Sequence, residues 1–421
     1  MADRIGVPLD LEDFEVIDSE VVRDAIEVDV RSLRRPACFD CGSLDVTHYD
    51  TTPRRIRDRA CGYPVVLRWA QRRFRCADCG AVTRERHPEV AGRRRITQRF
   101  RRLLFEQACN EPFVDVAAAE RVSSYRVEEC FEAFAAAETE ARTPAPPRVL
   151  SIDESSFKKR LQFHSVLSDP ERGVVLDLVE GRGKGAVFSG LARMSDQARA
   201  AIETVVIDCH WPYRQAIEQA LPRARIVADK FHVIRAVDGA ANRVRRRFGR
   251  RGYTQRIGRD GGTARQHHPA SDPAIFRIRW VFQKRAAKLS PAEEEWLVGV
   301  LRCAAPEVTT AWWLKERFAA IYEARDRQIA ELLLEEWIED IERVGLLEFL
   351  NTWRTLQWWR EEILNYLDDP VTNAFAEGIT NKIKVMKRRS YGFRNAFRYR
   401  HKVLLACGRR SARKPLLHRL S

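Results

Sequence analysis

Apolar residues in this chain recur with two periods, and the changes of period mark out its elements. Ala25-Ile26-Glu27-Val28-Asp29-Val30-Arg31 alternates and predicts a strand, and a second alternating run, PVVLRWAQRRFRC, ends at Cys76. Residues 97 to 141 turn to helical spacing, with breaks at Asn110-Glu111-Pro112 and near Ser123-Ser124. Prolines crowd the stretch TPAPPR, Thr143 to Arg148, which predicts an extended linker. Beyond it RVLSID, FHSVLSD and GVVLDLVE lie at hairpin spacing and predict a meander of strands. A helix around Phe188 to Ala201, the strand TVVID, the helix PYRQAIEQAL and the strand ARIVAD follow. Residues 240 to about 365 show helical periodicity and no convincing strand, the pattern of a helical insertion. The predicted organisation is multidomain α/β: strands and a ribbon over 1–90, a helical segment over 91–143, a mixed-sheet core over 148–240, the insertion over 241–365, and C-terminal helices over 366–421.

A chain of 421 residues with 45% hydrophobic content is long enough for roughly two to four domains with their own cores. Its net charge of +15 and pI near 9.6 come mostly from arginine, so the expected partner is a polyanion, nucleic acid before others. No run approaches the roughly 18 apolar residues of a membrane span. The N-terminus, MADRIGVPLDLEDFEVIDSE, is too acidic and interrupted for a signal peptide, and a cytoplasmic location is expected. The ten cysteines fall in two tight pairs or are scattered, which argues for metal binding and against a disulfide framework.

Cys38-x-x-Cys41-Gly42 and Cys76-x-x-Cys79-Gly80 each have the form of a zinc knuckle, two thiolates one short turn apart with glycine where the chain turns tightly. Together they predict a closed, structural four-sulfur Zn²⁺ site with a hairpin inserted between the pairs. Cys61 lies between them without a partner and is left outside the set. Arg68, Arg72, Arg73 and Arg75 would give this ribbon a basic face for phosphate; a merely solvated surface is the plainer alternative. DVAAAERVSSYRVEECFEAF fits a helix-turn-helix, with Ala117 to Glu120 in the first helix, Val122 in the turn and Ser124 capping the second. Its second helix offers DNA only Arg126 beside Glu128 and Glu129. The basic run Arg93-Arg94-Arg95 with Arg99, Arg101 and Arg102 is the better expectation for phosphate contact.

Asp153 and Asp208 close short apolar runs, and Glu377 lies in TNAFAEGITNKIKVMKRRSYGF. Two-metal phosphoryl transfer needs oxygen ligands around hard cations roughly 3.5–4 Å apart, which carboxylates at the ends of adjacent strands supply. A meander followed by alternating helix and strand is the order of a ribonuclease H-like core. Strand alternation sets Asp153 and Glu154 on opposite faces, so both cannot face one site without a bulge; Asp153 is chosen and Glu154 kept as substitute. Taken alone, Asp208 reads as a helix cap ahead of Pro212. Asn373, Glu377, Asn381 and Lys384 form one polar helix stripe, opposite Phe375, Ile379, Ile383 and Met386. Gly378 costs such a helix roughly 1 kcal/mol, which makes sense if something approaches closely there. Asp229 and His232 read either as a helix cap and a core histidine or as support for the ligands, a role also open to Asn373 and Asn381. Lys382, Lys384, Lys387, Arg388, Arg389, Arg394, Arg398 and Arg400 run on from Glu377 as a basic stripe for DNA. Lys184 in GRGKG lacks phosphate-loop spacing and reads as a turn. Eight of the ten tryptophans fall between Trp280 and Trp359, which predicts an aromatic core or, from Trp312-Trp313 or Trp358-Trp359, an exposed ring that stacks on an unpaired base.

The knuckles, the helical segment, SIDESSF, VVIDCHWPY, VADKFHVIR and AEGITNKIKVMKRRSYGFRN together resemble the bacterial insertion-sequence transposases of the ISL-three family over nearly the whole chain. The resemblance implies a DDE transposase with a ribonuclease H-like fold whose triad is Asp153, Asp208 and Glu377, and whose ribbon and helix-turn-helix recognise terminal inverted repeats. Ser155-Ser156, Lys158-Lys159 and Cys209-His210 depart from the pattern around the aspartates and leave the carboxylates intact. The expected cofactors are two Mg²⁺, with Mn²⁺ as substitute, and structural Zn²⁺. Double-stranded DNA is the expected partner, bound by a homodimer or larger assembly in the cytoplasm at the nucleoid, with no membrane association. A DNA-binding regulator that has lost the chemistry, or a nuclease without strand transfer, are the rival readings.

Overall fold

The computed structural model describes residues 9–90, 92, 94–142, 144–158, 162–249, 253–257, 262–266, 273–371, 374–393 and 395–408. The chain divides into two compact units, Met1–Thr143 with Val385–Ala406, and Pro144–Lys384 with Cys407–Ser421. The first begins with β1 (Phe14–Val22), β2 (Ala25–Ser32), β3 (Val46–Cys61), β4 (Tyr63–Cys76) and β5 (Val82–Arg84). They form one sheet of order β1-β2-β4-β3, with β5 also on β4 and β2 parallel to β4. The alternation seen in sequence is the alternation of burial: Val65, Leu67 and Trp69 join Ile26, Val28, Val30 and Ile56 in one apolar core.

Three helices follow, α1 (Gln98–Asn110), α2 (Phe113–Ala119) and α3 (Ser124–Glu140). The helix expected over Ala117 to Glu120 begins earlier, at Phe113, because Pro112 fits the position just before a helix start. The cap of α3 is Ser123, not Ser124: its backbone is extended and its Oγ accepts the Arg126 amide at 3.3 Å. Phe100, Leu104, Phe105, Val127, Cys130 and Phe131 make the core of this helical segment.

The second unit is built on β6 (Val149–Lys158), β7 (Gln162–Asp169), β8 (Val174–Glu180), β9 (Thr204–Ile207) and β10 (Arg225–Ala228), in the order β10-β9-β6-β7-β8. β6, β7 and β8 are antiparallel neighbours, whereas β9 and β10 run parallel to β6. α4 (Lys184–Ala192) and α5 (Asp196–Ala200) join β8 to β9, and α6 (Trp211–Ala220) joins β9 to β10. One helix was expected over Phe188 to Ala201; it is two, because the Ser195 hydroxyl caps α5 through the Ala198 amide at 3.1 Å. Lys184 opens α4 rather than lying in a turn. β9 is buried throughout, as its unbroken apolar run requires.

α7 (Lys230–Phe248) runs through the boundary expected at 240. A hairpin, β11 (Tyr253–Ile257) with β12 (Gly262–Gln266), lies where the pattern showed no strand. Thr254, Ile257 and Thr263 favour extended backbone, but YTQRI and GTARQ are too short and polar as sequences for periodicity to reveal. The insertion continues as α8 (Pro273–Arg277), α9 (Arg279–Gln283), α10 (Pro291–Cys303), α11 (Pro306–Ile321), α12 (Arg327–Val344), α13 (Leu347–Leu356) and α14 (Arg360–Asp368). Its core is tied by Trp337, whose Nε1 donates to the Leu314 carbonyl at 2.8 Å. α14 brings the chain back to the sheet: Asn365 Nδ2 donates to the Ile226 carbonyl (2.8 Å) and Asp369 accepts from Thr204 Oγ1 (2.7 Å).

α15 (Ala374–Arg389) and α16 (Ala396–Cys407) end the described chain. The segment 366–421, expected to belong wholly to the catalytic core, is divided, since Val385–Ala406 cluster with the first unit. There Arg398 pairs with Glu128 and Glu132 of α3 (2.5 and 2.7 Å), and His401 Nδ1 meets Thr139 Oγ1 at 2.9 Å.

Candidate active site and metal centres

The strand register of the second unit sets three aspartates side by side. Ile152 pairs with Ile207, and Ile207 with Ala228, so Asp153, Asp208 and Asp229 are the residues that follow the last matched level of three neighbouring parallel strands. In an open α/β sheet this carboxyl edge is where ligands bind. Asp153 is not the end of its strand, as β6 continues to Lys158 against β7; it is the end of the parallel pairing with β9. Asp208 does not act as a helix cap: the cap position of α6 belongs to His210.

Each oxygen of Asp153 has a donor, the Glu154 amide at 2.7 Å on Oδ1 and Thr380 Oγ1 at 2.6 Å on Oδ2. Burial pushes its carboxyl pKa up, opposed by the Thr380 hydrogen bond and reinforced by the charge of Asp208. Asp229 is buried, caps α7 through the Phe231 amide (3.4 Å), and holds His232 Nδ1 at 2.6 Å. That nitrogen is also 2.8 Å from Asp208 Oδ1. Its single proton is aimed at Asp229, which leaves Asp208 Oδ1 buried without a hydrogen bond. Asp208 first and Asp229 next hold the imidazole pKa up at about 10.

An open pocket of about 530 Å³ collects these groups. Asp153, Asp208 and Glu377 all line it, as do Asp229 and His232. Glu377, Thr380 and Lys384, at i, i+3 and i+7 of α15, present one helix face to it. α15 is seated by Phe375, whose ring packs so closely on Gly173 that a Cβ there would lie 3.1 Å away. Glu154 lines the pocket as well as Asp153, without a strand bulge between them; its Oε2 is engaged by Arg182 at 2.9 Å. Asn381 is exposed and does not line the pocket, and Asn373 lies outside the described residues. Asp208, Asp229 and His232 have ligand atoms within 4.8 Å of one another, with Asp153 and Glu377 outside that tight group. An orphaned carboxylate oxygen among hard oxygen donors fits a divalent cation of the Mg²⁺ type. Sequence reasoning missed Thr380 and Arg235, which also line the pocket. Its polar stripe named Asn381 and passed over the threonine beside it.

The four knuckle cysteines come together in the first unit. Cys38 and Cys79 sulfurs lie 3.5 Å apart and those of Cys41 and Cys76 3.6 Å apart. Zn–S bonds of about 2.3 Å in a tetrahedron put sulfurs about 3.8 Å apart, so the set is compatible with zinc. Gly42 and Gly80 take positive φ (+76° and +73°) where each knuckle turns back, a conformation glycine adopts without strain. The hairpin between the pairs is β3–β4, and Cys61 sits at its exposed tip, apart from the cluster.

The arginines expected to hold phosphate divide into two sets. Arg68 is bracketed by Asp29, Glu20 and Glu27, Arg72 pairs with Glu85, and Arg73 with Asp50. Arg126 pairs with Glu129, and Arg389 with Glu111. The acidic strands β1 and β2 supply carboxylates that a count along β4 alone does not reveal. Exposed Arg75, Arg84, Arg94 and Arg95 pair with no carboxylate among the described residues, and neither do Lys384 and Arg388; Arg394 and Arg93 lie outside them. Arg84 and Arg95 also depress the pKa of Arg54, after its burial, so these charges crowd one another. Among the tryptophans, Trp337 and Trp359 are core residues, whereas Trp280, Trp296, Trp313 and Trp358 are exposed.

Residues 150–403 match the profile of the ISL3-type DDE family, described as Transposase, and the chain belongs to this family of insertion-sequence transposases. It is 26% identical over 360 residues to the transposase for insertion sequence element IS1001 of Bordetella parapertussis, covering 85% of each chain. It is 23% identical over 270 residues to the transposase for insertion sequence element IS1557 of Mycobacterium tuberculosis, covering 62% of this chain and 60% of that one. The family makes the chain a DNA-modifying enzyme and implies a DNA substrate and a divalent metal. No described helix is long and apolar enough to cross a membrane.

Proposed function

We propose that this transposase binds the terminal inverted repeats of an insertion sequence and performs metal-dependent strand cleavage and strand transfer at the pocket of the second unit. One observation carries the reading: Asp153 and Asp208, side by side where the parallel pairing of β6 with β9 ends, line one pocket with Glu377 of α15. The order β10-β9-β6-β7-β8, with β6–β8 antiparallel, supports a ribonuclease H-like core. Asp153, Asp208 and Glu377 would hold two Mg²⁺, or Mn²⁺, which supply activation of the attacking oxygen and stabilisation of the leaving one. Asp229 keeps His232 beside Asp208, and Arg235 and Lys384 bring positive charge to the phosphates.

The surface that holds DNA is assigned to arginines that pair with no carboxylate among the described residues: Arg75, Arg84, Arg94 and Arg95 in the first unit, with Arg388 of α15. Cys38, Cys41, Cys76 and Cys79 would bind one Zn²⁺ that shapes this ribbon, and α2 and α3 serve as the helix-turn-helix. Two ends must be processed together, so the active form is a dimer or larger assembly on DNA, in the cytoplasm at the nucleoid.

The test is strand cleavage and joining on DNA bearing the element's ends, with Mg²⁺, for the wild type and Asp208→Ala. The variant is expected to lose both reactions while it still binds the ends. Equal activity in the two proteins would rule the metal site out, and end binding without cleavage by the wild type would favour a regulator.

A further inference from the structure

Thr380 is buried at 4% exposure although Asn381 and Lys382 beside it are exposed. Its hydroxyl donates to Asp153 Oδ2 at 2.6 Å, across 227 residues of sequence. The other oxygen of Asp153 takes the Glu154 amide at 2.7 Å. A carboxylate oxygen has about two lone-pair sites, so one donor on each oxygen stops the group from rotating and leaves each a site for a cation. The same bond ties α15 to β6. A second tie is Phe375 on Gly173, at the turn between β7 and β8. Glu377 stands between the two ties, so its place relative to Asp153 is set by them.

We propose that Thr380 is a positioning residue of the transposase site: its hydroxyl orients Asp153 and fixes the glutamate helix against β6, so that the carboxylates are arranged before a divalent ion arrives. The proposal rests on the two-metal reading above. Groups that hydrogen-bond a metal ligand orient it, and their loss typically costs about 10–100-fold in metal affinity or activity.

Thr380→Val keeps the shape and removes the donor, while Thr380→Ser keeps the donor. Ca²⁺ binding to the full chain by calorimetry reads the site without turnover, and the Mg²⁺ dependence of strand cleavage reads it with turnover. Thr380→Val is expected to weaken Ca²⁺ binding and raise half-saturating Mg²⁺ by about 10–100-fold, with end binding in EDTA unchanged. Thr380→Ser is expected to stay close to wild type. Should Thr380→Val misfold, Thr380→Ala set against Thr380→Ser makes the same comparison. Wild-type metal binding in the valine variant would overturn the proposal, and so would a serine variant as impaired as the valine one. Cleavage that does not depend on Asp208 overturns the two-metal reading itself; Asp208-dependent cleavage that is indifferent to Thr380→Val overturns the role of Thr380 alone.

Discussion

His232 Nδ1 stands within ion-pair distance of two acids, Asp208 and Asp229, which hold its pKa at about 10. In the metal-free protein the imidazolium offsets repulsion between Asp208 and Asp229. Its folded pKa stands above the unfolded value of about 6.5, so this stabilisation is complete below that pH and is lost as pH rises through about 10. In EDTA, His232→Gln should therefore lower unfolding free energy most near pH 6 and by a shrinking amount toward pH 10. Urea unfolding at both ends of that range checks this; a loss independent of pH would show that the ring acts through packing. The arginines carry a second prediction. Arg95→Ala should weaken duplex binding across sequences and reduce the slope of log affinity against log salt by about one, whereas Arg126→Ala, already paired with Glu129, should leave that slope alone. Asp153, Asp208 and Glu377 are visible in sequence because each closes an apolar run or sits on a polar stripe. Thr380 and the neutralisation of Arg68 are not, because their partners lie far away in the chain.

At the scale of elements, α15 shows how far periodicity reaches. Spacing places Glu377 and Lys384 on one face, but contact with the pocket also takes in Thr380, at the edge of the buried side. A Cβ on Gly378 would meet nothing within 4 Å, so the protein itself does not require glycine there. Gly378→Ala should raise stability by roughly 0.5–1 kcal/mol and, where DNA lies close over that face, slow cleavage. A stabilised variant that cleaves at the wild-type rate would remove the case for a close approach. The meander and the two parallel strands were legible because their apolar runs are largely buried. The β11–β12 ribbon was not, since its two strands are short and polar in sequence. Ser123, rather than Ser124, caps α3 because the switch from extended to helical backbone comes one residue earlier, a difference side-chain type does not encode.

For the whole molecule, the cysteine cluster predicts one zinc per chain by elemental analysis and a loss of thermal stability of the first unit on chelation, since structural zinc binding is coupled to folding. Cys76→Ser should bring the same loss without a chelator. A melting curve indifferent to both would leave the four cysteines as free thiols with no structural ion. Local pattern determined the strands of the second sheet, the two cysteine pairs and the basic character, because alternation, turn chemistry and charge are properties of neighbouring residues. Only the tertiary structure decided that Asp229 stands level with Asp153 and Asp208, that α14 returns the chain to β10 of the same sheet, and that α16 joins the first unit rather than the core. Those facts depend on strand register and on which buried faces meet, and neither is a property of any single stretch of sequence.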